Sequence, residues 1–341
     1  MASLKPADLG LAVPLINLAP RRSLIIPIYR NEENIDDLIE VLSGFSRDPG
    51  DIEIIFVIDG SPDRSGKMIE GRLAELGCPA TVIYHSRNFG SFTAIRTGLE
   101  LARGEMIAVM AADLQEPPEL IRTFFGLLES DEGDIAFGQR SGRHDSVLQN
   151  VLSNSFWWLY RKMVIRDIPK GGVDIFACNR AVADSVLEIH EPNSSLVAQL
   201  FWVGYRRVFV PYERRPRLKG TSAWNFSRRL RYMMDSIFSF SDLPILAVLW
   251  IGILGCVLSL IFAVVVLMGR LFGLITEPGY TALALLIVFM GSSTLAVQGV
   301  IGSYLWRTFE NTKRRPLRVI QQIVRNDPPL PGTAAPAERL P

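Results

Sequence analysis

The residues best suited to chemistry stand in the run Met110-Ala111-Ala112-Asp113-Leu114-Gln115-Glu116-Pro117-Pro118-Glu119. The apolar stretch Met106 to Met110 reads as a buried strand, and Pro117 and Pro118 read as the opening of a helix. Asp113 and Gln115 therefore sit where a strand ends, the edge at which open α/β sheets take ligands. A carboxylate and a carboxamide two residues apart offer hard oxygen donors to a divalent cation, Mg²⁺ or Mn²⁺. Mg²⁺ characteristically binds one or two carboxylates and completes its shell on substrate phosphates. A second strand end, Val57-Ile58-Asp59-Gly60-Ser61-Pro62-Asp63, brings Asp59 to a neighbouring position, placed for a base or ribose. Asp-Gly-Ser is equally what a tight turn needs.

The elements that must position these residues alternate along the chain. Ser23 to Tyr29, Ile52 to Ile58, Thr81 to His85, Met106 to Ala111 and Asp134 to Phe137 read as strands. Helical spacing follows over Asn34 to Leu42, over about Arg64 to Leu76, and after Asn88-Phe89-Gly90, where Ala94, Leu99 and Leu101 share one side. Strands alternating with helices of this length predict right-handed crossovers and a mainly parallel, Rossmann-like sheet. The glycine fingerprints of dinucleotide and P-loop sites, G-x-G-x-x-G after the first strand and G-x-x-x-x-G-K-[ST], are missing. A nucleotide diphosphate held on this sheet needs its charge neutralised by other means, and a metal at Asp113 and Gln115 supplies one.

Bulk properties exclude several classes. The net charge is +1, so no basic field points to nucleic acid. Cys78, Cys178 and Cys256 are far apart and show no metal spacing, and His85, His144 and His190 are equally scattered. Neither a zinc site nor a Ser-His-Asp relay is supported. The chain is 48% hydrophobic, and the excess lies in its last third.

That last third predicts a membrane attachment. Arg214, Arg215, Arg217 and Lys219 precede Gly220-Thr221-Ser222-Ala223-Trp224, followed by Arg228, Arg229 and Arg231. Phe226, Leu230, Met233, Met234, Ile237 and Phe238 fall on one helical stripe with the arginines off it, the pattern of a helix lying among lipid headgroups. No residue is charged between Asp242 and Arg270 or between Glu277 and Arg307. At about 1.5 Å per residue each stretch exceeds a hydrocarbon core of roughly 30 Å. Basic residues flank the outer ends of both, so the positive-inside rule places both termini and the α/β domain in the cytoplasm. Gly252, Gly255, Gly291 and Gly302 would allow such a hairpin to pack against copies of itself as a homo-oligomer.

Pro27-Ile28-Tyr29, Val57 to Asp63, Ser86-Arg87-Asn88-Phe89-Gly90 and Asp113 to Glu119, in this order and spacing, resemble inverting family 2 glycosyltransferases of the GT-A fold. More narrowly, the chain from about 23 to 325 is similar to the polyisoprenyl-phosphate glycosyltransferases, which include dolichyl-phosphate mannose synthases and bacterial undecaprenyl-phosphate glucosyltransferases. The resemblance implies a UDP- or GDP-linked sugar donor, a polyprenyl phosphate acceptor, and a metal held by Asp113 and Gln115. It implies nucleotide-sugar contacts around Pro27, Tyr29, Asp59, Asn88, Gly90 and Asp113, with Arg140 facing the diphosphate and Asp174 near the reaction centre. Ser153, Arg217 and Ser222 match acceptor-phosphate positions. The chain departs from the family where Ala111 replaces the first Asp of D-A-D-L-Q, where Tyr29-Arg30-Asn31 replaces Y-N-E, where Ile58 precedes Asp59, and where Ser303 replaces a common glutamate.

These expectations divide the chain into an extension over 1–22 without a signal-peptide pattern, a catalytic domain over 23–211, and a basic juxtamembrane segment over 212–241. Spans over 242–269 and 279–306 follow, then a basic helix or tail over 307–326 and a disordered end over 327–341. The function expected is transfer of a sugar, with glucose as the base-rate choice, to undecaprenyl or a related phosphate at the cytoplasmic face of the cell membrane. Two alternatives stand beside it. A processive polysaccharide synthase would carry more spans and a Q-x-x-R-W motif, and neither is found. A catalytically impaired scaffold for lipid-linked sugars is suggested by Ala111.

Overall fold

The computed structural model describes residues 20–45, 51–140, 167–169, 173–191, 194–215, 279–313 and 315–326, with separate positions between 248 and 272. The described strands form one eight-stranded sheet in the order β7-β5-β6-β4-β1-β2-β3-β8. They are β1 (Arg22–Ile28), β2 (Ile52–Ile58), β3 (Ala80–His85), β4 (Met106–Val109), β5 (Ile135–Arg140), β6 (Val173–Asn179), β7 (Arg207–Tyr212) and β8 (Ile320–Asn326). The helices are α1 (Ile35–Ser43), α2 (Ser65–Arg72), α3 (Ser91–Leu101), α4 (Pro118–Glu129), α5 (Arg180–Leu187), α6 (Leu196–Trp202) and α7 (Tyr280–Thr312).

The central strands β4, β1, β2 and β3 pair in parallel, as the alternating pattern predicts. The sheet as a whole is mixed, because β6 runs antiparallel to both β4 and β5, and β8 runs antiparallel to β3. All seven residues of β2 are buried, which is why Ile52 to Ile58 is apolar at every position but Glu53, whose carboxylate is bonded to Ser23 and Arg103. Its side chains alternate between two cores. Ile54, Phe56 and Ile58 join the α1, α2 and α4 side through Leu38, Ile69, Ile121 and Phe124. Ile55 and Val57 join the opposite side, with Leu99 of α3, Val182 of α5 and Leu200 of α6. The result is a helix–sheet–helix sandwich.

The strand after α7 is a departure from the sequence reading, which ended the catalytic domain at residue 211 and treated 307–326 as helix or tail. Ile320 to Asn326 instead returns to the α/β domain and covers the edge of β3, with Val324 and Ile320 packed on opposite cores. The Ser86 N–H donates to the Val319 carbonyl at 3.0 Å, and Arg318 pairs with Glu100 at the end of α3. Pairing with a strand more than 230 residues later removes an exposed edge that would otherwise invite association.

Of the expected first span, only separate helical positions from Val248 onward are described. The second, over 279–306, lies in α7 from Tyr280 on, and the helix's 33 residues correspond to roughly 50 Å. Counting only the described residues, no helix is long and apolar enough to cross a membrane. Leu283, Ile287, Leu305 and Trp306 of α7 are exposed on the isolated chain.

Candidate active site

Topology gathers the sequence-predicted residues at one edge. β1, β2, β3, β4 and β5 all end there, while β6 and β8 begin there, because each runs antiparallel to its neighbours. Tyr29, Asp59, Asn88, Asp113, Gln115 and Arg140 leave the ends of five strands, and Asp174 is the second residue of β6. The β4–β6 register pairs Met106 with Asn179, Ile107 with Cys178 and Ala108 with Ala177. Arg140 is half-buried at the last position of β5, opposite Tyr212 of β7. Ser153, Arg217 and Ser222 lie outside the described residues.

The turn after β4 is conformationally unusual. Leu114 has φ 52°, a left-handed conformation that costs a residue bearing a branched side chain about 1–2 kcal/mol. It separates Asp113 from Gln115, and the Asp113 carboxylate accepts the Gln115 N–H at 3.3 Å. Gln115 is buried and makes two bonds to Arg215: its Nε2 donates to the Arg215 carbonyl at 3.2 Å, and the Arg215 N–H donates to its backbone carbonyl at 2.8 Å. Glu116, also buried, faces Arg214 at 3.7 Å. The proposed metal turn is therefore fastened to the first residues after β7, the stem of the basic segment. Sequence inspection did not reveal this link. Its only trace is the charge match of Glu116 and Glu119 with Arg214 and Arg215.

Among the described residues no group of three His, Cys, Asp or Glu could hold a metal. One carboxylate and one carboxamide oxygen are hard donors but an incomplete shell. That set fits a divalent ion completed by phosphate oxygens of a bound ligand rather than a permanently resident one.

The Asp59 carboxylate is engaged inside the protein. It is 2% exposed, and accepts the Phe89 N–H at 2.8 Å and the Gly90 N–H at 2.7 Å, with His85 Nδ1 at 2.8 Å. Gly60 beside it has φ 60°, and a Cβ there would lie 2.2 Å from the Arg87 carbonyl carbon. The loops after β2 and β3 are thus pressed backbone to backbone, and only glycine fits.

A second clasp joins the loops after β1 and β2. Ser61 accepts the Arg30 N–H at 2.8 Å, Ser65 accepts the Asn31 N–H at 3.2 Å, and Asp63 accepts the Glu32 N–H at 3.1 Å. Burial alone would raise the Asp63 carboxyl, yet hydrogen bonds from Ser61, Ser65 and the Glu32 N–H hold it below its ordinary value. Arg30 at the centre has φ 55°, another left-handed position without glycine. The sequence signal was the Ser-Pro-Asp-Arg-Ser run after a strand, which reads as turn chemistry.

The family model for glycosyl transferase family 2 matches residues 23–189, spanning the strands and loops that carry these groups. An uncharacterized glycosyltransferase of Synechocystis sp. is 30% identical over 88% of this chain and 95% of its own length. The chain belongs to glycosyl transferase family 2. It is a glycosyltransferase, and its sheet is the GT-A type of Rossmann-like α/β fold. Two further relatives are similar at 28% identity. One is the undecaprenyl-phosphate 4-deoxy-4-formamido-L-arabinose transferase of Proteus mirabilis, over 89% of this chain and 93% of that one. The other is the SfII prophage-derived bactoprenol glucosyl transferase of Shigella flexneri, over 90% and 99%.

Proposed function

We propose that this glycosyltransferase moves a sugar from a UDP- or GDP-linked donor to a polyprenyl phosphate, with inversion at the anomeric carbon, at the cytoplasmic face of a membrane. The observation that carries the reading is the double hydrogen bond between Gln115 and Arg215. It ties the turn assigned to the donor diphosphate to the stem of a basic, apolar-striped segment suited to lipid headgroups and an anionic acceptor. The names of the two 28% relatives, one an undecaprenyl-phosphate and one a bactoprenol sugar transferase, support a polyprenyl acceptor.

An acceptor phosphate is already an anion near neutral pH. Its oxygen forms the new bond to the anomeric carbon as the bond to the donor diphosphate breaks, and the nucleoside diphosphate leaves with the electron pair. No general base is required. The chain's task is in-line placement of the two substrates and stabilisation of the leaving diphosphate. Arg140 suits phosphate oxygens through its planar fork of donors. Asp113 and Gln115 would hold a divalent ion, which supplies charge neutralisation at the leaving group when bound. Asp174 stands at the same edge as an element of the reaction centre.

Membrane attachment belongs to this proposal: a hairpin of 242–269 and 279–306, with the α/β domain and both termini on the cytoplasmic side and copies associating through the hairpin. The test is the full chain purified in detergent with undecaprenyl phosphate, Mg²⁺ or Mn²⁺ and a panel of radiolabelled UDP and GDP sugars. The expected product is a lipid-extractable monoglycosyl phosphate from one donor. Transfer only to water, or to a growing polymer, would contradict the acceptor assignment.

A further inference from the structure

The family's motifs account for Asp59 and for the Asn88 loop but leave His85 unused, although it is one of only three histidines in the chain. His85 ends β3, its side chain is fully buried, and both ring nitrogens are bonded. Nδ1 lies 2.8 Å from Asp59 Oδ1 and Nε2 lies 2.9 Å from Thr97 Oγ1 on α3. The Thr97 hydroxyl donates onward to the Thr93 carbonyl at 3.0 Å. Nδ1 donates to a carboxylate that can only accept, and Nε2 completes the ring's bonding at Thr97. Both ring nitrogens are thus held, and Asp59 and His85 form a buried hydrogen-bonded pair.

The pair does more than fill the core. Asp59 uses its remaining capacity on the Phe89 and Gly90 N–H groups, and the Phe89 ring stands edge-on to His85 with centroids 5.5 Å apart. The backbone of Arg87 and Asn88 packs directly over Gly60. His85 thus sits under the loop that presents Asn88 and fixes the carboxylate on which that loop hangs. Removing one member of a buried hydrogen-bonded pair leaves the other's polar atom unsatisfied, so the loop's anchor depends on this ring.

We propose that His85 is a positioning residue for donor binding: by holding Asp59 it sets the 86–90 loop in the conformation that receives the nucleotide. This rests on the glycosyltransferase reading of the edge and adds a determinant to it. Because the ring acts on the loop and not on the reacting atoms, its loss should appear in the donor KM rather than in kcat.

The experiment compares the full-length protein with His85→Leu and His85→Asn in detergent, reading donor KM, kcat and amide hydrogen exchange across residues 86–90. His85→Leu keeps bulk but no donor, and is expected to raise donor KM at least tenfold with kcat within threefold of wild type. Exchange at Phe89 and Gly90 should accelerate while β1 and β2 stay protected. His85→Asn keeps a donor toward Asp59 and should restore KM to within threefold. A donor KM within twofold of wild type in His85→Leu, a loss confined to kcat, or no rescue by His85→Asn would overturn the proposal. Should His85→Leu not fold, His85→Met, which also lacks a donor, takes its place under the same thresholds. If wild type transfers no sugar, the glycosyltransfer reading fails on its own, and unchanged exchange at Phe89 and Gly90 would still overturn the positioning role.

Discussion

Two residues in left-handed backbone conformations, Arg30 and Leu114, mark the loops after β1 and β4, while Gly60 marks the one after β2. Gly60 is the most exacting. Alanine there meets both the left-handed penalty and the backbone of Arg87 and Asn88, so Gly60→Ala is expected to cost about 2 kcal/mol or more and to weaken donor binding as the loop is displaced. Urea unfolding and donor KM check the two effects separately. Asp63 makes a pH-dependent contribution. Its carboxyl is lowered in the folded chain, so the stability it adds is full above the ordinary value of 3.8 and is lost as pH falls through the lowered one. Asp63→Asn should therefore be less stable than wild type at pH 7, and the difference should close only in strong acid. A difference unchanged down to pH 2 would show that the carboxylate's charge is not what stabilises the clasp. The two described cysteines stand apart from this chemistry, because burial pushes Cys78 up to about 11 and Cys178 up to about 12.

At the scale of elements, the parallel heart of the sheet was legible because its strands are largely buried and read as mostly apolar runs: Ile52 to Ile58 was placed to the residue, Glu53 included. The antiparallel additions were not. β8, Ile-Gln-Gln-Ile-Val-Arg-Asn, lies on the sheet edge with mostly exposed or half-exposed side chains, so its composition resembles that of a polar tail. Its place is fixed by long-range pairing with β3, which no local pattern encodes. For the site, Asp113 and Gln115 were readable from strand-end position and residue type. The Gln115–Arg215 and Asp59–His85 bonds join residues 100 and 26 positions apart and became visible only in three dimensions. The role given to β8 is testable. A chain ending at Thr312 lacks the strand and the Arg318–Glu100 pair. It should show faster amide exchange through β3 and a lower melting temperature of the α/β domain, whereas unchanged β3 protection would mean that the strand only decorates the edge.

For the whole molecule, α7 and β8 are separated by residues 313–319 alone, a connection of seven residues that spans at most about 25 Å. The start of the basic segment is meanwhile fixed to the donor turn through Arg215. Both chain paths between the α/β domain and the apolar segments thus leave from structured points near the site edge, which suits an enzyme that meets a soluble donor and a lipid acceptor together. The full chain is accordingly expected to float with liposomes and to resist extraction by carbonate and high salt. A truncation ending at residue 211 would lose both attachments, and release of the full chain by carbonate would contradict an integral hairpin.

The proposed role of the Asp113–Gln115 turn is that of the diphosphate site in a sugar transfer to lipid phosphate. Its most direct measurement is the initial rate of lipid-linked product formation by wild type and Asp113→Ala at saturating undecaprenyl phosphate, with and without divalent metal. A metal-dependent wild-type rate, lowered at least a hundredfold in a variant that still melts cooperatively, is the predicted result. Equal rates from the two proteins would contradict it.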